Sequence, residues 1–585
     1  MKVWGEPPQP RRSRRSDRPG RLSAESGLIG TRSPIDPGPF DPGPFDPSLE
    51  PSDAAPGRSG AGVVAISGNP WDSGQLVEPR RPVQLTGHPG RDAIALGTAA
   101  LLNLGDKIGR AELADPIMAS AYRFARSRGE RVRASQLLAA YDRRASTASG
   151  IDRGLPWALP TDAGPGSPLY ARSNPDPVFW RPREAGRLKA DPAGYARWLV
   201  EPIAQVQSLE LLAELGVSSN PRGEAAARIR ADLLPQVEAG FALHVAADDP
   251  WRDLFALWQL TSAPHTLNDL WFLATAIAYR YATLSRRVAG PVIGNGPFEG
   301  EQLVSASAAL GSVLWQLRIY PSLVPELVDF VADKRRSDGG WGDPGQPSDV
   351  LTTLAATDLL LGLDPDFDPG LTIAWLARAQ EPEGWWRALD PEVPWLTAAV
   401  VDCLERAVRP FVQRFRWPGA LKLDLDRRTQ LPTYAWFADL ARSIQEVPGL
   451  ARAEWDIAFV DLAGFGLFNT ANGQARGDDV IGAFGRALAR IPDSRAIRDG
   501  GDEFIVIGAP GDTSLYERLD AFRDSWLAEF IHTFGREPEP VRPRITVARD
   551  VGAELALGRE RLGRRIGEMK KLHPSPPPNG VIERT

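Results

Sequence analysis

The chain has 585 residues and a formal charge of −6, so it offers no general basic field for displacing phosphate counterions, which excludes a generic nucleic-acid binder. Hydrophobic residues make up 43% and charged residues 24%, the composition of a soluble globular protein with sizeable cores. The lone Cys403 excludes an intramolecular disulfide and a cysteine-held zinc, and His88, His244, His265, His532 and His573 stand at no spacing that would pair them as ligands on one helix face.

Residues 1 to about 85 are rich in Pro, Gly, Ser and Arg and repeat DPGPF in tandem from Asp36 to Phe45. Such a composition buries too little apolar surface to offset chain entropy, so a disordered tail is expected. Its start lacks the apolar stretch of a signal peptide, and no apolar run in the chain reaches the ~18 residues of a membrane span. A cytoplasmic protein with no membrane segment is the expectation.

From about 90 to 415 the pattern is that of amphipathic helices, as in RDAIALGTAALLNLG and LNDLWFLATAIAYRYATL, broken by Pro and Gly. Part of it repeats. Phe330 to Trp341 and Trp375 to Trp386 match at a shift of 45, and Thr353 to Leu360 is echoed by Thr397 to Leu404 at a shift of 44. The unit is a helix, a Gly-Trp turn and a second helix; glycine permits the close reversal while the Trp covers the end of the preceding helix, and stacked units bury what one helix pair cannot. With Trp375, Leu376, Gln380, Gly384 and Trp386 in frame, the segment resembles the QW repeats of terpene cyclases and protein prenyltransferases, which implies an α/α toroid. Arg335 stands where the first copy would carry Gln. The Asp-x-Asp-Asp and DDxxD motifs of terpene chemistry are missing, so a sensor or binding role for an unknown small-molecule or protein ligand is expected rather than catalysis.

Beyond residue 420 the pattern becomes mixed. Trp455 to Leu462, Asp502 to Ala509 and Pro543 to Val551 have strand length and β-branched content, with the helical Val480 to Ile491 between the first two. An α/β sandwich with its reactive residues at strand ends follows. In RDGGDEFIVIG, Gly500 and Gly501 suit a hairpin turn that lets a phosphate or ribose approach the backbone. Asp502 and Glu503 beside that turn, with Asp461 at the end of the first strand, are suited to a divalent metal on phosphate oxygens.

Asp461, Phe465, Asn469, Gly473, Gly477 and Asp478, in frame with Gly500 to Phe504, resemble the signature of GGDEF diguanylate cyclases. Asp426, Thr429, Leu431 and Phe437 keep the frame of that family's opening motif. The resemblance implies a multidomain chain: an all-α, toroid-like domain at 90–415 and an α/β, nucleotidyl-cyclase-like GGDEF domain at 420–583. It further implies that two such domains, in a transient or stable homodimer, each hold one GTP and condense the pair into cyclic di-GMP. Magnesium or manganese would lie on Asp461, the Leu462 carbonyl and Asp502; Asp502 and Glu503 are the catalytic candidates. Phe465, Asn469, Asp478, Gly500, Gly501 and Lys570 are the nucleotide-binding candidates, with Asn469 and Asp478 reading guanine. Departures are Ala463 and Gly466 for an acid and a lysine, Thr433 and Tyr434 for Asn-Arg, and Pro574 for an arginine. Arg490 and Asp493 have the residue types of a feedback site at shifted spacing. A GTP or cyclic-dinucleotide receptor without turnover, and a cyclase making another cyclic nucleotide, are the alternatives.

Overall fold

The computed structural model describes residues 63–64, 83–107, part of 206–238, 250–287, 290–294, 300–386, 394–535, 540–575 and most of 577–585. Apart from a two-residue antiparallel ladder, Val63–Val64 against Val83–Gln84, the expected tail at 1–85 lies outside these residues.

The helical part comprises α1 (Pro89–Lys107), α2 (Pro250–Leu260), α3 (Pro264–Arg287), α4 (Val304–Leu317), α5 (Val324–Asp333), α6 (Val350–Leu363), α7 (Gly370–Arg378) and α8 (Pro394–Ala407). In α4 and α6 every residue is buried, as their near-uniform apolar, Ala, Ser and Thr composition demands. They pack on each other as an inner pair. By contrast, α5 buries only Val324, Leu327, Val328 and Val331, one stripe of an amphipathic helix.

Both repeat copies have the same construction. Trp341 Nε1 donates to the Val331 carbonyl at 2.7 Å and Trp386 Nε1 to the Leu376 carbonyl at 2.8 Å, so each indole closes the end of the helix before it. Their backbone N–H groups donate to Thr353 Oγ1 and Thr397 Oγ1 in the following helices. Gly339 and Gly384 both have φ of +94°. Gln380 Nε2 reaches the Gly384 carbonyl at 2.9 Å and the Ala93 carbonyl of α1 at 3.0 Å. Arg335, in the corresponding place, instead bonds the Asp368 carbonyl and Thr372. The two helix–turn–helix units are thus present; a closed ring would require residues of 108–249 that the structure largely leaves undescribed.

The C-terminal part is a five-stranded mixed sheet with helices on both faces. Its elements are α9 (Tyr434–Glu446), β1 (Ile457–Ala463), α10 (Phe465–Asn472), α11 (Gln474–Leu488), β2 (Ser494–Gly500), β3 (Glu503–Gly508), α12 (Leu515–Phe534), β4 (Arg542–Ala548), α13 (Leu555–Leu572) and β5 (Val581–Arg584). The strand order is β2-β3-β1-β4-β5, antiparallel except for the parallel β4–β5 edge. The short, half-exposed β5 was not expected from the sequence, and β2, whose SRAIRDG is largely polar, was implied only by the expected hairpin turn at Gly500 and Gly501. β1 also runs two residues past Asp461.

Period-2 alternation divides the sheet's two cores. Ile457, Phe459, Ile505 and Ile507 face α13 and α9 in a cluster continuous with the helical part through Phe415, Trp436 and Trp455. Ala458, Val460, Phe504, Val506 and Val547 face α10, α11 and α12, around Phe484, Trp526 and Phe530.

Candidate functional site at the β1–β3 edge

The same alternation that buries Ile457 and Phe459 places Asp461 on the α13 side of β1. Register sets it between Glu503 of β3 and Arg544 of β4. Its side chain is 2% exposed. Arg544 Nη1 donates to Asp461 Oδ2 at 3.1 Å, and Arg544 Nη2 donates to the carbonyls of His573 and Pro574, both at 3.0 Å. On the other oxygen, Lys570 Nζ from the last turn of α13 lies 2.7 Å from Asp461 Oδ1 and 3.7 Å from Glu503 Oε1. Asp461, Glu503 and Lys570 are therefore one cluster, with Asp502 one residue away in the turn.

Gly501 and Asp502 form a two-residue hairpin loop between the paired Gly500 and Glu503. Gly501 has φ of +31°, and a Cβ at Gly500 or Gly501 would meet nothing within 4 Å. The turn is thus open on its outer side, where a ligand can approach the backbone closely. It is held from beneath by Arg498, buried against Phe504, whose guanidinium bonds the carbonyls of Gly500 and Gly501 and lies 3.5 Å from Asp426. Asp426 in turn accepts from the backbone and hydroxyl of Thr429; burial opposes its ionisation, yet these bonds and Arg498 hold its carboxyl below the usual range.

Burial, then the charge of Asp461, raises the Asp502 carboxyl above its ordinary value. Glu503 is raised by burial too; Lys570 works against the shift, while Asp461, Asp499 and Asp502 add to it. Burial disfavours the Lys570 ammonium, but the surrounding carboxylates outweigh it and raise its pKa. A crowded acidic cluster with a movable cation is the result.

The other candidates lie on α10 and α11, against the opposite face of the sheet. Phe465 is half-buried at the start of α10. Asn469, one turn on, lies so close to α11 that a Cβ on Gly477 would stand 1.7 Å from its Oδ1. That oxygen is buried and accepts no hydrogen bond. Asp478 faces a groove of about 440 Å³ lined also by Arg428, Gly482, Arg486 and Phe534, and pairs with Arg428 at 3.0 Å. Both partners are well exposed, so the pair contributes only ~0–1 kcal/mol and can open to a ligand. At the shifted feedback motif, Arg490 pairs with Glu529 at 2.6 Å and Asp493 turns the chain with φ of +47°.

Solved structures similar to this chain carry GGDEF domains. The GGDEF domain of DgcB from Caulobacter crescentus in complex with c-di-GMP aligns at 20% identity over 28% of this chain and 98% of that one, with a TM-score of 0.24. The FimX GGDEF domain from Pseudomonas aeruginosa aligns at 18% identity over 27% and 99%, with a TM-score of 0.23. The diguanylate cyclase SiaD from the same organism, solved with its activator SiaC, aligns at 21% identity over 27% and 61%, with a TM-score of 0.24. No family model matches the chain, and no curated protein does.

The donor chemistry at this end of β1 and β3 suits a hard divalent ion. Asp461 Oδ1 is buried and accepts no well-aligned hydrogen bond, and burial together with the charge of Asp461 disfavours ionisation of the neighbouring Asp502 and Glu503. Among the described residues no three His, Cys, Asp or Glu side chains converge for a metal; the donors would be Asp461, the Leu462 carbonyl and Asp502, with phosphate and water completing the shell. Sequence reasoning overlooked Arg544, Arg498 and Arg428. No local signal marks the first two, whose meaning lies in cross-strand pairing. Arg428 sits where the opening motif of the resembled family has Leu, a departure visible in the string itself.

Proposed function

We propose that the C-terminal α/β part, from about residue 420, is a diguanylate cyclase domain condensing two GTP molecules into cyclic di-GMP. The observation that supports it is the cluster of Asp461, Asp502, Glu503 and Lys570 beside the open Gly500–Gly501 turn. When bound, magnesium or manganese on Asp461, the Leu462 carbonyl and Asp502 would supply positive charge at the phosphates. Glu503, with its raised pKa, is suited to accept the proton of an attacking 3′-hydroxyl. Lys570 is 42% exposed, and its ammonium is free to swing from Asp461 onto a phosphate oxygen. The unpartnered Asn469 Oδ1 and the Asp478 carboxylate are acceptors for guanine N1–H and N2–H, donors that adenine lacks. Two phosphodiester bonds must form between two nucleotides, each 3′-oxygen displacing pyrophosphate from the other's α-phosphate, so two such domains have to meet, in a homodimer at least for the length of a turnover.

On the same reading the helical repeats serve as the module that binds a small molecule or protein and governs the pairing, in the cytoplasm where GTP is supplied. Among the described residues no helix is long and apolar enough to cross a membrane.

A second reading, a GTP or cyclic-dinucleotide receptor without turnover, is favoured by Gly466 in the place of a phosphate-holding lysine and by the two cations already on Asp461. Incubation of the full chain with GTP or ATP and magnesium or manganese, with products identified by mass spectrometry, separates the two. Cyclic di-GMP from GTP alone, abolished in Asp502→Ala, is the expected outcome. GTP bound but unconverted selects the receptor, and absence of any GTP binding sinks both.

A further inference from the structure

Asp461 is the one carboxylate of the cluster that is fully enclosed, and each of its oxygens faces a cation. The two cations differ in kind. Lys570 is 42% exposed on a flexible stem. Arg544 is 7% exposed and is clamped through Nη2 to the His573 and Pro574 carbonyls while Nη1 holds Asp461 Oδ2. Its withdrawal would strand two carbonyls and a buried carboxylate, whereas Lys570 leaves into solvent at little cost.

The placement follows from the strand. Register sets Arg544 directly across from Asp461, and the next residue on that face, Thr546, is buried against the Leu562 carbonyl of α13. Arg544 is thereby committed to the α13 side of the sheet for as long as β4 is paired.

We propose that Arg544 is a fixed counter-ion that sets the divalent-ion affinity of Asp461, occupying Oδ2 and leaving Oδ1 as the single oxygen an incoming ion can use. This rests on the reading of Asp461 as a metal ligand given above. Lys570 faces both Asp461 and Glu503, whereas Arg544 faces Asp461 alone. Release of Lys570 restores one further negative charge, but Arg544 remains. A dication is therefore drawn less strongly than to three free carboxylates, and it binds Asp461 through one oxygen only. The nucleotide-free site is poor in metal, and a divalent ion gains its full ligand set together with the phosphates.

The test is titration of the nucleotide-free full chain with Mn2+ alone, followed by the loss of the free-ion electron paramagnetic resonance signal. Neutral Arg544→Gln is expected to bind Mn2+ about tenfold or more tightly than wild type, because a like charge a few ångström from the ion is removed. Arg544→Lys, which keeps the charge, stays near wild type, and Asp461→Asn abolishes the uptake gained in Arg544→Gln. Equal or weaker affinity in Arg544→Gln, with uptake still lost in Asp461→Asn, overturns the counter-ion role alone. Absence of Asp461-dependent uptake in every variant overturns the metal site itself. Arg544→Met, which keeps the buried stem, replaces Arg544→Gln if the latter lacks a cooperative unfolding transition; failure of both to fold makes Arg544 a structural residue and ends the proposal.

Discussion

At Gly477 the absence of a side chain is a condition for the position of another. A Cβ there would fall 1.7 Å from Asn469 Oδ1, while alanine is otherwise well tolerated within a helix. Gly477→Ala is therefore expected to leave stability nearly unchanged and to displace the Asn469 amide from the position proposed for reading the base. The loss of one hydrogen bond to the base, worth about 1.4 kcal/mol, corresponds to roughly tenfold weaker GTP binding. Titration calorimetry with GTP checks it; unchanged affinity would remove Asn469 from the list of base-reading groups. Asp478 is a milder case, because its Arg428 partner is exposed and yields to a ligand.

The repeated helix–turn–helix units depend on how closely two chain segments pass. At Gly384 the chain has φ of +94°, and a Cβ would come 2.5 Å from the Leu96 carbonyl oxygen of α1, a backbone atom with no room to yield. Gly345 has φ of +69°, yet a Cβ there would touch nothing within 4 Å. Gly384→Ala should therefore cost on the order of 3 kcal/mol, combining backbone strain with a forced separation of α1 from the turn, and Gly345→Ala only about 1 kcal/mol of strain. Urea unfolding of both variants decides between backbone conformation and contact: equal losses would mean that the closeness of α1 contributes nothing. The indole bonds of Trp341 and Trp386 explain why the Trp recurs, since each donates to a carbonyl in the last turn of the helix it covers.

Across the whole molecule, the helical part and the sheet share apolar core and a few polar pins. Arg318, at the C-terminus of α4 with φ of +56°, pairs with Asp424 at 2.6 Å, bonds the Gly419 carbonyl and lies over the Trp436 ring. Trp436 Nε1 donates to that same carbonyl at 3.0 Å. Phe415, Trp417 and Trp455 meet edge to face, with centroid separations of 5.0 and 5.6 Å from Phe415. Arg318→Ala leaves Asp424 without its partner and empties the space over Trp436, so a loss on the order of 3 kcal/mol is expected. A change below ~0.5 kcal/mol in denaturant unfolding, the range of an ordinary surface substitution, would show that the pin does not bear on stability.

The spacing of Asp461, Asn469 and Asp478, and their frame with Gly500 to Glu503, is legible in the chain alone, because those residues act within short segments where strand and helix periods set which side chains meet. The repeat is legible for the same reason: Trp386 does its work within ten residues of the helix it closes. Strand β5 escapes a sequence reading because VIER is too short to announce burial, and β2 is signalled only by its hairpin turn because SRAIRDG is so polar; pairing with β4 and β3 makes them strands. Arg544 escapes it altogether. It lies 83 positions from Asp461, and only the β1–β4 register turns an ordinary arginine in a short apolar string into the partner of a buried carboxylate. Local periodicity thus determined which side chains share a face. Tertiary pairing decided which charges oppose them, because the field at a buried group is set by neighbours in space rather than along the chain.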